Sequence, residues 1–305
     1  MIDLDLAALA ARLPARPVTR FAPSPTGHLH LGHLVNAVYV WGLARALGGR
    51  VRLRIEDHDR ERSRPEFEQS LLSDLEWLDL RPDAPALARV RLGDARQSAH
   101  DDRYHAALTR LTEAGLTYWC DCSRQRILRE SGTVEGEIRY DGHCRGRGLG
   151  PGPDRGIRVR LDDRLEAFDD ARLGPQWQQP SAQCGDLLLR DRLGQWTYQF
   201  AVTVDDLADA VDLVIRGEDL LASTGRQIAL ARLLGRTAPP VFLHHGLVLG
   251  ASGTKLSKSN EDTGLRELRA AGLDAATVIG RAAAAAGLLD RERPVSAGEL
   301  HTLFR

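Results

Sequence analysis

Arg20-Phe-Ala-Pro-Ser-Pro-Thr-Gly-His-Leu-His-Leu-Gly-His33 is the stretch around which the rest of the chain can be ordered. A short apolar approach, Val18 to Phe21, runs into a turn punctuated by Pro23, Pro25 and Gly27. His30-Leu-Gly-His33 then opens a run in which Leu34, Val35, Val38, Tyr39, Trp41, Leu43 and Leu47 recur at helical spacing. Strand, turn and helix in that order is where α/β proteins bind phosphate, because a helix N-terminus offers free N–H groups and a positive dipole end. The stretch is therefore a candidate phosphate site, with Gly32 letting a nucleotide lie against backbone.

Working outward, Gly48-Gly49 stops the helix and 51–55 alternates as a strand. Glu56-Asp57-His58-Asp59 follows at that strand's C-terminal end, where open α/β sheets bind ligands. A carboxylate there suits a substrate amine or a metal, and a solvated acidic turn is the alternative. Pro65 starts a helix, and 101–115 reads as another, with Asp101 as N-cap and Gly115 as stop. Residues 117–120 read as a strand that closes the first half of a doubly wound sheet. Downstream, 186–190, 196–204 and 211–216 read as strands, a helix begins at Ser223 or Thr224, and 241–243 is the last core strand. Residues 1–16 form a short amphipathic helix of unread role. The tail after 259 is helix-prone and alanine-rich.

Cys120-x-Cys122 and Tyr140-Asp-Gly-His143-Cys144 bring three thiols within reach of one tetrahedral ion, most naturally zinc. Coordination chemistry alone favours His143 as the fourth ligand over Tyr140; three unrelated buried cysteines are the bland alternative. Cys184 stands apart as an ordinary thiol. The segment 145–164 is loop-rich and the most arginine-dense in the chain, suited either to a phosphate backbone or to plain solvation. Segment 119–185 thus reads as an insertion with its own metal-stabilised fold. The expected organisation is an extension over 1–16, a core over 17–118 and 186–250, the insertion, and a lysine loop with a helical region over 251–305.

Composition bounds the possibilities. The 305 residues suffice for one large or two ordinary domains, and 27% charged against 43% hydrophobic residues is usual for a globular protein. A net charge of −1 argues against indiscriminate nucleic-acid binding while leaving room for a local basic face. No stretch reads as a signal peptide or a membrane span, and clustered cysteines suit a reducing compartment, so a cytoplasmic location is expected. Only two of the 41 basic residues are lysine, Lys255 and Lys258, both inside Lys255-Leu-Ser-Lys-Ser259.

That lysine motif and His30-Leu-Gly-His33, each following a strand, together resemble the KMSKS-type and HIGH-type elements of class I aminoacyl-tRNA synthetases. Arg20-Phe-Ala-Pro-Ser-Pro-Thr-Gly27, Arg54-Ile-Glu-Asp57 and Arg216-Gly-Glu-Asp219 resemble the glutamate-specific branch. Within it, the cysteine pattern and the short run beyond Ser259 resemble the glutamyl-Q tRNA(Asp) synthetase family. The remaining residues, 260–305, are expected to be too few for an anticodon-binding domain, since chains below about 40 residues seldom fold unaided.

The resemblance implies a Rossmann-type doubly wound core with a zinc insertion. It implies ATP-dependent activation of L-glutamate, without tRNA, and transfer to queuosine in the anticodon loop of tRNA(Asp). It implies His30, His33, Lys255 and Lys258 as the catalytic set, with His30, Gly32, His33 and Lys258 on ATP and Mg2+ alongside. It implies glutamate contacts from Arg20, Phe21, Ala22, Pro23, Ser24, Glu56, Tyr198 and Arg216, and it selects Tyr140 with Cys120, Cys122 and Cys144 as zinc ligands. A monomer is expected. The rival readings are a truncated glutamyl-tRNA synthetase charging tRNA(Glu), and a HIGH-motif nucleotidyltransferase.

Overall fold

The structure is a computed structural model that describes residues 4–85, 87–131, 133–134, 137–248 and 264–304. The expected lysine loop, with Lys255 and Lys258, lies outside the described residues. The first half of the chain contains α1 (Leu6–Ala11), β1 (Val18–Phe21), α2 (Leu31–Ala46), β2 (Arg50–Leu53), α3 (Pro65–Trp77), α4 (Leu87–Val90), α5 (Asp101–Glu113), β3 (Thr117–Cys120), α6 (Arg124–Ser131), β4 (Thr133–Val134) and β5 (Glu137–Ile138). There follow β6 (Gly156–Val159), β7 (Glu166–Asp170), β8 (Gly174–Gln178), α7 (Pro180–Gln183), β9 (Leu187–Arg190), α8 (Tyr198–Ala208), β10 (Leu213–Gly217), α9 (Thr224–Leu233), β11 (Val241–His245), α10 (Leu265–Ala270) and α11 (Ala275–Ala285).

The parallel pairs expected of a doubly wound core are present, β1 with β2 and β10 with β11. β1 lies beside β10, where Asp212 N–H donates to Val18 O at 2.9 Å. α2 covers these strands, and ten of its residues are buried, because strands lie on one side and the C-terminal helices on the other. Gly42 is required there: a Cβ would meet the Phe304 ring at 2.3 Å.

Sheet membership departs from the sequence expectation in three places. β3, read as part of the parallel core, pairs antiparallel with β6, which pairs antiparallel with β9. β7, read as part of the insertion, joins β11, with β8 antiparallel on its other side. The sheets are therefore mixed, and strands near 120 and 187 belong with the inserted segment. Third, 196–204 is not a strand: Tyr198–Ala208 is helical. Phe200, Ala201 and Val204 fall on one helical face and pack with Leu111, Val159 and Leu230. Phe200, Val202 and Val204 also alternate, so β-branched and aromatic content favoured the wrong period until the packing decided it. A smaller correction concerns α5, whose N-cap is His100, Asp101 being its first residue.

Candidate active site

The backbone register of β1 and β2 continues past both strand ends. Arg54 N–H donates to Phe21 O at 3.0 Å and Glu56 N–H to Pro23 O at 3.1 Å. This sets Ser24 and Glu56 side by side at the carboxyl ends of the strands, the customary ligand edge of an α/β sheet. His30 caps α2. Its Nδ1 accepts from Gly32 N–H at 3.1 Å, and His33 Nδ1 accepts from His30 N–H at 3.2 Å. Each Nδ1 being an acceptor, the ring proton sits on Nε2, and the two rings lie 3.9 Å apart at the helix N-terminus. A Cβ on Gly32 would press on the His30 ring at 3.0 Å, so this glycine makes room for the cap itself.

One cavity of about 600 Å³ gathers these groups. Arg20, Phe21, Ala22, Pro23, Ser24, His30, Gly32, His33, Glu56, Tyr198 and Arg216 all line it, which brings together every described residue expected to meet ATP or glutamate. Tyr198 arrives from the N-terminus of α8 rather than from a strand. Burial, then Glu56, pushes its phenol pKa up.

Behind the wall is an ionic network that the sequence reading did not find. Asp206 of α8 accepts from Arg54 at 2.8 Å and from Arg20 at 3.2 Å, while Arg54 also reaches Glu56 at 3.0 Å. Burial alone would raise the Asp206 carboxyl, but Arg20 and Arg54 hold it below the usual range. Arg216 makes different contacts. It donates to His244 Nε2 at 3.0 Å, Gln227 Oε1 at 2.7 Å and Thr224 Oγ1 at 2.9 Å, all neutral acceptors. Asp219, from the Arg216-Gly-Glu-Asp219 motif, also lines it, as do Asn36 and His245, which were not singled out. Two adjacent acids in the mostly apolar run 200–207 stand out in the sequence, but nothing there names the partners of Asp206.

The cysteine cluster lies apart, in its own small core with Tyr118 and Ile127. Cys122 and Cys144 sulfurs are 3.5 Å apart, and the Tyr140 hydroxyl is 3.5 Å from Cys120 and 4.0 Å from Cys122. Edges of this length match a tetrahedron with zinc–sulfur bonds of about 2.3 Å, whose edge is about 3.8 Å. The three thiols could hold a metal ion; Tyr140 is buried with its hydroxyl among them, whereas His143 is exposed. Each sulfur also takes a guanidinium: Arg158 on Cys120 at 3.3 Å, Arg126 on Cys122 at 2.7 Å, Arg147 on Cys144 at 3.4 Å. Burial raises the Cys120 thiol, but the Tyr140 hydroxyl and Arg158 outweigh it and hold it below its usual range, whereas burial and the neighbouring cysteines push Cys122 up to about 12.

The fold and cavity define a class I tRNA synthetase catalytic domain: residues 17–279 match the family tRNA synthetases class I (E and Q), catalytic domain. The glutamyl-Q tRNA(Asp) synthetase of Nitratidesulfovibrio vulgaris is 39% identical over 280 residues, 88% of this chain and 86% of that one. That of Symbiobacterium thermophilum is 41% identical over 93% of this chain and 91% of its own. The chain therefore belongs to the glutamyl-Q tRNA(Asp) synthetase family, a family of aminoacyl-tRNA synthetase-type ligases. A glutamate–tRNA ligase of Nitratidesulfovibrio vulgaris is 42% identical, but the chain covers only 51% of it. The solved glutamate tRNA ligase of Elizabethkingia meningosepticum, in complex with its amino acid, superposes with a TM-score of 0.75 at 26% identity. That match covers 95% of this chain and 65% of the ligase, so the chain spans just under two thirds of that structure.

Proposed function

We propose that the protein activates L-glutamate with ATP, needing no tRNA for that step, and transfers the glutamyl group to queuosine in the anticodon loop of tRNA(Asp). The observation that carries this reading is Arg216, a buried guanidinium lining the same cavity as Glu56 and the two histidines, with no carboxylate among the described residues against it. A substrate with a side-chain carboxylate and an ammonium matches Arg216 and Glu56. The near full-length similarity to relatives named for queuosine-tRNA, against half-length coverage of a glutamate–tRNA ligase, supports the acceptor.

In the first step the α-carboxylate of glutamate attacks the α-phosphate of ATP and pyrophosphate leaves. The nucleophile is ionised at neutral pH, its reference pKa being about 3.5, so no general base is required. The catalyst must hold the in-line geometry and neutralise developing phosphate charge. The Nε2–H groups of His30 and His33 point that role to the N-terminus of α2, and Lys258, with Lys255, supplies the cation of the lysine loop. Mg2+ accompanies ATP and shares the phosphate charge. In the second step a hydroxyl of queuosine's cyclopentene ring attacks the adenylate carbonyl and AMP leaves. Zinc on Cys120, Cys122, Tyr140 and Cys144 is structural, and the enzyme works as a cytoplasmic monomer.

The test is ATP-dependent transfer of labelled glutamate to queuosine-containing tRNA(Asp), queuosine-free tRNA(Asp) and tRNA(Glu). Only the first is expected to be labelled; labelling of tRNA(Glu) would favour a truncated glutamyl-tRNA synthetase. Glutamate-dependent pyrophosphate exchange without tRNA is expected to proceed, and Lys258→Ala to slow it by about a hundredfold, the usual cost of one lost transition-state contact.

A further inference from the structure

Arg216 is 3% exposed, and among the described residues no carboxylate lies within 4.0 Å of its nitrogens. Burying an uncompensated charge is costly, and burial accordingly presses this guanidinium's pKa down. The structure tolerates it through neutral acceptors, and the most constrained of them is His244, which is fully buried. Asp170 Oδ2 accepts from both the backbone N–H of His244, at 3.1 Å, and its ring Nδ1, at 2.6 Å. The other oxygen of Asp170 is fixed by the N–H groups of Arg172 and Leu173, at 3.0 and 2.9 Å. An ionised carboxylate only accepts, so the imidazole proton is on Nδ1 and Nε2 presents a lone pair. That lone pair faces the Arg216 Nε–H at 3.0 Å and the Thr224 hydroxyl at 3.2 Å, and the Thr224 oxygen in turn accepts from Arg216.

We infer that His244 is a positioning residue: with Asp170 fixing its tautomer, it aims Arg216 into the cavity through a neutral acceptor and so leaves the positive charge unspent for the substrate's side-chain carboxylate. Had residue 244 been acidic, the same hydrogen bond would exist, but the ion pair would be made inside the protein. The orientation would survive and the attraction for an anionic substrate would not. His244 thereby acts on amino-acid selection without touching the amino acid. This inference rests on the reading of Arg216 as the group that meets glutamate's side chain.

Two measurements test it. In pyrophosphate exchange, His244→Ala and His244→Glu are each expected to raise the glutamate KM by roughly tenfold or more, about the worth of one charge-assisted hydrogen bond. His244→Gln, which keeps a neutral acceptor, is expected to lie closer to the wild type than either. The ATP KM is expected to stay within twofold throughout. A glutamate KM in His244→Glu no higher than in His244→Gln, or ATP and glutamate KM rising together, would overturn the role. The second measurement needs no substrate and no variant: 15N NMR of the histidine rings in the full chain. A buried imidazole protonated on Nδ1 alone at pH 7 is expected, and protonation on Nε2 would overturn the proposal. If the wild type shows no exchange with glutamate, the functional reading fails while the tautomer result still judges the geometry.

Discussion

Asp206 holds two guanidiniums on one carboxylate, Arg54 at 2.8 Å and Arg20 at 3.2 Å, in a site where all three side chains are nearly or wholly buried. Arg20 spends a further N–H on Ile215 O at 3.2 Å, so its place in the cavity wall depends on partners in α8 and β10 together. Removing one charge from such a set leaves the others desolvated and unmatched, which costs about 3–5 kcal/mol. Asp206→Asn is accordingly expected to lose stability of that size in urea unfolding and to weaken glutamate binding; a loss below about 1 kcal/mol would mean Arg20 and Arg54 find other partners. At this scale the sequence was informative where a residue sits at a strand end inside a recognisable run, as Arg20, Glu56 and Arg216 do. It was silent on Asp206 and His244, because their meaning comes from partners 186 and 28 positions away and not from their neighbours.

α3 and α10 illustrate the same limit for whole elements. The leucines of α3 and its C-cap, at 71, 72, 75 and 78, recur at helical spacing, with Leu71, Leu72 and Leu75 buried, and the start of the helix at Pro65 was legible. That the helix also buries Asp74 was not, since nothing in a linear pattern distinguishes an inward from an outward acid. Asp74 is 4% exposed, and its Oδ2 has no hydrogen-bond partner. Burial raises its pKa from 3.8 to about 6, Arg269 of α10 pulling it down and Glu267 pushing it up. The sign follows from which state holds the proton more tightly. Below about pH 4 the acid is neutral folded and unfolded. Between about 4 and 6 the unfolded chain gives up the proton and the folded chain keeps it, so stability falls as pH rises through that window. Asp74→Asn, which keeps the neutral form, is expected to melt above the wild type at pH 7.5, with the gap closing towards pH 4. A constant gap in thermal melts across that range would show that Asp74 does not titrate between folded and unfolded states. α8 failed to be recognised for a related reason: its side chains fit both periods, and only the facing core separates them.

For the whole molecule, the thiols sit in a core separate from the one built by α2 and the parallel strands. Tyr118, Ile127, Tyr140 and the three thiols form one small cluster, whereas α2 and the parallel strands form another that is far larger. The small cluster has few apolar side chains, and its backbone is tight: a Cβ on Gly185 would meet Tyr140 O at 1.9 Å. A core of this size gains little from burial alone, so the ion proposed on residues 120, 122, 140 and 144 would supply much of its order. The arginines on each sulfur imply the converse as well, since without a cation three thiols, a phenol and three guanidiniums are left to satisfy one another. Stripping the metal with a chelator is therefore expected to raise amide hydrogen exchange in β3, β6 and residues 140–147. β1, α2 and β10 are expected to keep their protection, and the cavity they line should still support pyrophosphate exchange. Readdition of zinc is expected to restore the protection. Loss of protection across α2 and β10 as well would show that the two cores unfold as one, and unchanged exchange around residues 120–144, with metal analysis confirming removal, would show that the thiol cluster holds its shape by packing alone.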